Sequence, residues 1–573
     1  ASLTGSGSGN YITLGSGGLI ISGGTTTYLG WLQGSGPLTI NGNLTMTSMQ
    51  AVANTIPITI GSTGSLTMSG IGYIGASGTY TYNNLLTNNG TFRYSGTSYN
   101  QVLSGGVTGS GNIIKDTASN TSLTISGTAN YTGTTTINAG TLNFGAGSTA
   151  GAVVTLPANT ITVGTNAYLG IGNTTDMTVS NTISGTGGFQ KWGPNILTLA
   201  GAVGLSGTTT VNYGTLKFDN AGAVPTGLMT FGSANSNMAS IDLNGLTYAN
   251  NFSFNSGVNA LINATNIQNS SSTTATINGN IDITKTVANY VGVSIGGAGD
   301  IVLNGALTNS STASGYGNFV KVGTDKLTIN SVSTRAGPVD VINAGTVDLG
   351  TTGTLTSTSN RIYGLTMTGG TLLFADRAMT VPVGGTFSLS GSPTIIGSGN
   401  SSLTVSTSPN LAGTITTTGT QSYLSSPTLN GSLTLNTTNA NVSFGNLWVT
   451  TGQHGNYDMT LNLGTGNFTT TGSIGNTASL APKSFVMTGS GTVTVPGSLY
   501  TTNTVTINGL FTGINITSTN GPVTLGDATT PLATNALTIT AGAGAVTVNN
   551  ISNVAGISIG STSNNSVITG TLS

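Results

Sequence analysis

The sequence predicts an all-β chain folded as a right-handed parallel β-helix, a β-solenoid of short strands joined by tight Gly and Asn turns. Three observations predict it. First, the composition starves helices. Gly accounts for 89 of the 573 residues, Glu is absent, and Lys, Arg and Asp together make up 4% of the chain, where about 25% charged residues is usual. Gly, Thr, Ser and Asn are mediocre to poor helix formers, while Thr, Val, Ile, Tyr and Phe favour strands. Second, apolar residues alternate with Thr in short runs along the whole length, as in SLTISG, ILTLAG, KLTINS, SLTMSG, SLTLNT and ALTITA. Period two marks a half-buried strand and argues against the disorder that abundant Gly and Ser suggest. Third, one long phrase recurs.

That phrase is SLTISGTANYTGTTTINAGTLNFG at 122–145 and ILTLAGAVGLSGTTTVNYGTLKFD at 196–219, aligned without a gap. A more degraded copy, KLTINSVSTRAGPVDVINAGTVDLG, spans 326–350. Each copy has a lysine in its lead-in: Lys115, Lys191 and Lys321. Each opens with an apolar pair two apart: Leu123 and Ile125, Leu197 and Leu199, Leu327 and Ile329. A β-branched residue and Asn then precede a turn glycine: Ile137, Asn138 and Gly140; Val211, Asn212 and Gly214; Ile342, Asn343 and Gly345. A second apolar pair closes the phrase: Leu142 and Phe144, Leu216 and Phe218, Val347 and Leu349. Asn and Gly both tolerate positive φ, so Asn-x-Gly predicts a sharp corner between two short strands. The Thr triplet predicts an outward or ladder-forming strand. Short strands separated by tight corners bury nothing alone; stacked coils build a continuous core. At roughly 20–25 residues and about 4.8 Å per coil, the expected rod is on the order of 110–140 Å long.

Charge divides the chain into three zones. Before residue 115 the only charged residue is Arg93, and after 377 only Asp458, Lys483 and Asp527 remain. The expected organisation is therefore almost uncharged coils over 1–114, a repeat-bearing solenoid over 115–377, and almost uncharged coils over 378–573. The same strand language runs through all three. Cys is absent and the net charge is -1, which excludes disulfides, Cys-based metal sites and nucleic-acid binding by phosphate neutralisation. Weak charge repulsion between copies favours self-association. No apolar run is long enough for a membrane-spanning helix.

The phrases LTISGTANYTGTTTINAGTLNFG and LTLAGAVGLSGTTTVNYGTLKF resemble the passenger-associated strand repeat of bacterial autotransporters and related large surface proteins. The three copies cover under a fifth of the chain, and LTMTGGTLLF (365–374), GTFSLSGSPTI (385–395) and GSLTLNTTNANVSF (431–444) look like eroded relatives. The resemblance implies a secreted parallel β-helix serving mostly as a stalk. Autotransporters end in a membrane barrel of roughly a dozen tilted strands with aromatic girdles. The ending SVITGTLS does not match one, so the expectation is a removed barrel or another export route. The opening ASLTGSGSGN fits a leader removed at Ala1.

Candidate chemistry is sparse. His454, in GQHGNYD, is the only histidine, and without a Cys or second His it reads as a loop residue rather than a catalytic base. Asp340 with Asp348, and Asp376 beside Arg377, are the tempting carboxylate groupings of a polysaccharide-acting β-helix enzyme; solvated corners are the plainer reading. IGGAGDIVLNG (295–305) is similar to a calcium-binding glycine-rich nonapeptide, but it stands alone and one residue short, so Asp300 reads as a turn residue. Trp31, Trp192 and Trp448 are scattered. An aromatic strip binds glycans, but the alternating placement favours interior or corner positions. Thr-x-Thr segments such as TYT (79–81) and TIT (414–416) lack the fixed register of an ice-binding face. No catalytic, cofactor or metal site is expected. The expected function is a non-enzymatic secreted structural protein of the bacterial cell surface, polymerising through its solenoid ends or faces into a fibre, sheath or lattice. The alternatives are an adhesin stalk that presents a binding face to cells or glycans, and a polysaccharide-acting enzyme.

Overall fold

The structure, a computed structural model, describes residues 10–47, 52–76, 78, 80–117, 120–145, 156–172, 174–232, 239–254, 266–283, 292–308, 318–330, 341–350, 364–475, 480–561 and 566–573. Among these residues there is no α-helix, and hence none long and apolar enough to cross a membrane. Their strands pair in parallel, coil upon coil, as a β-solenoid. Contacts divide the chain into one unit of residues 1–293 with 310–315, and another of 294–309 with 316–573.

In the first unit a coil visits three sheets. Strands Val107–Gly109, Asn112–Lys115 and Ser122–Ile125 make one coil, and Ala129–Tyr131, Thr135–Ile137 and Gly140–Phe144 make the next. They pair in register as Val107 with Ala129, Ile113 with Thr135, and Leu123 with Leu142. The opening and closing apolar pairs of the phrase therefore lie directly above one another. In the second copy Leu197 pairs with Leu216 and Leu199 with Phe218; in the third, within the second unit, Leu327 pairs with Val347. One phrase is one coil with the first rung of the next. The opening and closing apolar pairs of the three copies, with Ile137, Val211 and Ile342, are buried, which is what alternation on a pleated strand achieves.

The corners are glycine corners. Gly140, Gly214 and Gly345 have φ of 73°, 70° and 69°, while the preceding Asn138, Asn212 and Asn343 are not among the residues with positive φ. Each Asn instead donates its backbone N–H across the corner, to Lys115 O, Lys191 O and Lys321 O at 2.8, 3.0 and 3.1 Å. The Thr triplet corrects the outward expectation in part. Thr136 and Thr210 face outward, but Thr135 and Thr209 are fully buried, because the strand that ends in Ile137 or Val211 must also point every second residue inward. Thr135 Oγ meets the Tyr131 hydroxyl at 2.7 Å.

The first two copies occupy different faces. The third sheet holds Ser122–Ile125 and Gly140–Phe144 of the first copy, yet Thr209–Val211 of the second, preceded there by its lead-in strand Gly188–Trp192. The coils between them are unequal in length: Thr124 and Asn143 share a row 19 residues apart, but the next step runs from Asn143 to Gly170. The phrase thereby returns rotated by one face.

The second unit takes many of its corners without leaving extended backbone. Val505–Ser518 runs for 14 residues through a corner, and its pairing shifts register between Ile507 and Leu510, as that of Val493–Thr501 does between Val495 and Ser498. These irregularities do the work of Asn-x-Gly and bend the strand. Inside, Tyr423, Phe444, Phe468 and Phe485 pack in a row, edge to face at centroid separations of 4.9 and 5.3 Å and then tilted at 5.6 Å. Outside, Asn462 donates to Asn436 at 2.9 Å, Asn436 donates to Thr416 at 3.0 Å, and Thr488 donates to Asn462 at 2.9 Å. That amide ladder joins four coils without a charge.

Candidate functional site

The ionisable residues pin coil to coil. Asp300 accepts the backbone N–H of Lys326 at 2.9 Å, and Asp376 that of Asn400 at 2.5 Å. Asp348 accepts the N–H of Gly350 at 2.9 Å and lies 3.9 Å from Lys326 Nζ; Asp340 falls outside the described residues. The Arg377 guanidinium reaches the previous coil, donating to Leu349 O at 2.7 Å and to Gly350 O. His454 Nδ1 accepts the N–H of Ala481 at 3.1 Å, which commits that nitrogen to the fold. No group of three His, Cys, Asp or Glu able to hold a metal occurs among the described residues. The carboxylates singled out in the sequence are thus structural acceptors where they are described.

The lead-in lysines are the most deeply placed charges. Lys115, Lys191 and Lys321 are fully buried and pair in register with Ile137, Val211 and Ile342 of the next coil. Each ammonium lies beneath a corner. Lys191 Nζ donates to Trp192 O, Gly193 O and Tyr213 O at 3.2, 2.8 and 3.0 Å. Lys321 Nζ donates to Val322 O and Gly323 O at 2.6 and 3.1 Å and to Asp325 Oδ1 at 2.9 Å. Lys115 Nζ donates to Thr117 O at 2.9 Å and, more weakly, to Ala139 O at 3.4 Å. Tyr213 and Ala139 are the middle residues of the Asn-x-Gly corners, so these two lysines tie one corner to the next. The sequence carried this signal as Lys-Trp-Gly-Pro-Asn at 191–195 and Lys-Val-Gly-Thr-Asp at 321–325: the Gly turns the chain at φ of 85° and 71°, and the final residue either accepts from the lysine (Asp325) or donates to Thr175 O of the coil before (Asn195).

Burial disfavours the charged form and pushes Lys115 and Lys191 down to about 8, against the opposing pull of Asp116 and Asp176. Lys321 is lowered by the same burial, with Asp325 opposing it. Between about 8 and the ordinary lysine range the unfolded chain therefore binds more protons than the fold, so stability rises with pH. Burial pushes Tyr94 up to about 12 and raises Tyr131, Tyr248 and Tyr423 as well. Unfolded tyrosines ionise near about pH 10 while these stay neutral, so stability falls beyond that point. Thermal melts are expected to show a stability maximum near about pH 10, and Lys191→Met is expected to flatten the rise that leads to it.

The described surface also contains an uncharged groove of about 370 Å³, on the outer face of the third sheet of the first unit. Its floor is one register row, Val102, Thr124, Asn143, Gly170 and Gln190, from five successive coils. Ser122 and Thr141 flank the row on one side and Trp192 on the other. Gly170 leaves room here: a Cβ on it would lie 2.0 Å from Asn143 Oδ1 and would make that side chain move, so its absence lets the amide lie along the floor. The Gln190 amide takes no hydrogen bond from another described residue, and no ionisable side chain lines the groove. Lys191 points inward from the same strand and holds the backbone carbonyl of Trp192. Of these residues only Trp192 stood out in the sequence, because the others come together only through register. Trp31, Trp192 and Trp448 are half-buried, whereas Phe92, Phe144, Phe189, Phe218 and Phe231 fill the interior.

Comparison with protein families, curated proteins and solved structures finds no match to this chain.

Proposed function

We propose that this chain is a non-enzymatic structural protein of the bacterial cell surface, exported and self-assembling through its solenoid ends or faces into a fibre, sheath or lattice. The observation that carries this reading is where the reactive groups go. Asp300, Asp348, Asp376, Arg377 and His454 are each engaged in bonds that hold the backbone, and the three lead-in lysines bind the carbonyls of coil corners. The outer faces carry neutral ladders such as Thr416–Asn436–Asn462–Thr488, which present almost no charge repulsion to a second copy. The resemblance of the repeats to autotransporter passengers supports export and a surface location. Sedimentation velocity over a concentration series tests the assembly: species larger than one chain are expected to grow with concentration, and a single monomeric species throughout contradicts it.

The groove favours one second reading, an adhesin stalk that presents a binding face to cells or glycans. Its amides, hydroxyls and indole are the chemistry that such a face needs, and they lie on a rigid sheet rather than on a loop.

A further inference from the structure

We propose that the groove on the third sheet of the first unit is a subsite for an uncharged linear oligosaccharide, running diagonally from a tyrosine platform to Trp192. This rests on the second reading above and gives it residues and a ligand class.

The track has an aromatic group at each end. At one end Tyr80 stacks on Tyr99 at 4.4 Å between centroids, and Tyr73 packs edge-on against both, at 4.9 and 5.5 Å. Tyr80 immediately precedes Thr81, which pairs with Val102 of the groove floor. At the other end Trp192 borders the groove two residues beyond Gln190. Between them stand the hydroxyls of Ser122, Thr124 and Thr141 and the amides of Asn143 and Gln190. Five strand spacings separate the Tyr80 and Trp192 strands, about 24 Å. The rungs repeat at about 4.8 Å, a step comparable to that of an extended β-linked pyranose chain. A sugar ring offers an apolar face to an aromatic ring and hydroxyls to amides, and it brings no charge that would need a partner.

The tyrosine end is built, at a cost in strain. Tyr80 has φ of 51°, an unfavourable conformation for a bulky residue that persists only where its surroundings over-determine it. Gln101 supplies that constraint. Along this inward row the following coils place Leu123, Leu142, Leu169 and Phe189. Gln101 stands there instead, fully buried, donating to Tyr80 O at 3.0 Å and Ile74 O at 2.9 Å and accepting the N–H of Ile74 at 2.9 Å. The Tyr94 hydroxyl donates to Tyr99 O and fixes the other half of the stack. A core position has been given to an amide that ties the Tyr80 carbonyl to the Ile74 backbone and so fixes one half of the stack.

The test uses the full chain on an array of linear neutral hexasaccharides (gluco-, manno- and galacto-configured), with polygalacturonate and heparin as anionic controls. The wild type is expected to bind at least one neutral probe with an affinity insensitive to salt, and to ignore the anionic controls. Trp192→Ala is expected to weaken that binding by about tenfold and Gln190→Ala by several-fold. The Gln190 side chain bonds to no described residue, so its variant is expected to keep the fold, and Trp448→Ala serves as an unaffected control. Binding that both groove variants leave unchanged overturns this site while the adhesin reading stands. A folded wild type that binds no neutral probe overturns the site, and failure of the same protein to bind whole cells would overturn the adhesin reading with it. If Trp192→Ala and Gln190→Ala abolish self-association and leave sugar binding intact, the groove is an interface between copies and the proposal fails.

Discussion

Gly214→Ala is expected to destabilise the fold by about 2–5 kcal/mol, one methyl group notwithstanding. Two costs coincide at this corner. With φ of 70° an L-residue loses about 1–2 kcal/mol. The added Cβ would also stand 2.4 Å from Gly193 O and 2.6 Å from Asn195 O, both backbone atoms of the coil beneath, and neither can swing aside as a side-chain tip can. Overpacking of that kind costs a further 1–3 kcal/mol or so. Gly204 is the control. It sits in strand Val203–Leu205 with no heavy atom within 4 Å of its missing Cβ, and Gly204→Ala is expected to be neutral or stabilising by a few tenths of a kcal/mol, about the gain from a less free unfolded chain. Denaturant melts of the two variants measure the contrast. A Gly214→Ala midpoint equal to that of Gly204→Ala would show that the corner tolerates a side chain.

Lys191→Met is expected to cost about 3 kcal/mol or more, although it removes a buried charge. Met fills most of the lysine stem but donates nothing, so the carbonyls of Trp192, Gly193 and Tyr213 lose a common donor inside a corner that is largely buried. Deleting one partner of a buried polar set costs more than the set contributes, because the remaining atoms keep their desolvation penalty. Lys217 provides the comparison: partly exposed and 3.6 Å from Asp242, it is expected to lose under about 1 kcal/mol on conversion to Met. Hydrogen exchange locates the effect. Protection is expected to fall at the Asn212 N–H, which bonds to Lys191 O, and to persist at Asn462 in the other unit. Uniform loss across the chain would mean that the lysine serves the whole core rather than its corner.

The fold was legible because its rules are local. Leu123 and Ile125 announce a strand by alternation, Gly140 announces a corner by its permissiveness, and repetition announces stacking. The corner role of the lysines was only half legible. Three lysines stood at one place in the phrase, but charge normally means surface, and only the stacked carbonyls of Tyr213 and Ala139 reveal why they lie inside. Register between distant coils was not legible at all. Val102, Thr124, Asn143 and Gln190 share a row only because the coils between them have particular lengths, and the longer step from Asn143 to Gly170 is what rotates the second phrase by one face. The same unequal lengths explain why no regular outward Thr row appears along the sequence. In the second unit the Asn-x-Gly signal fades because register shifts in long strands such as Val505–Ser518 take over the bending.

The most direct test of the structural role is electron microscopy of the purified chain across a concentration series, beside an Asn436→Lys, Asn462→Lys variant that places two charges on the neutral ladder. Regular filaments or sheets that grow with concentration, and that the double variant disperses while retaining its strand content, are the expected result. Single particles at every concentration, or assemblies indifferent to the two added charges, would contradict assembly through these neutral faces.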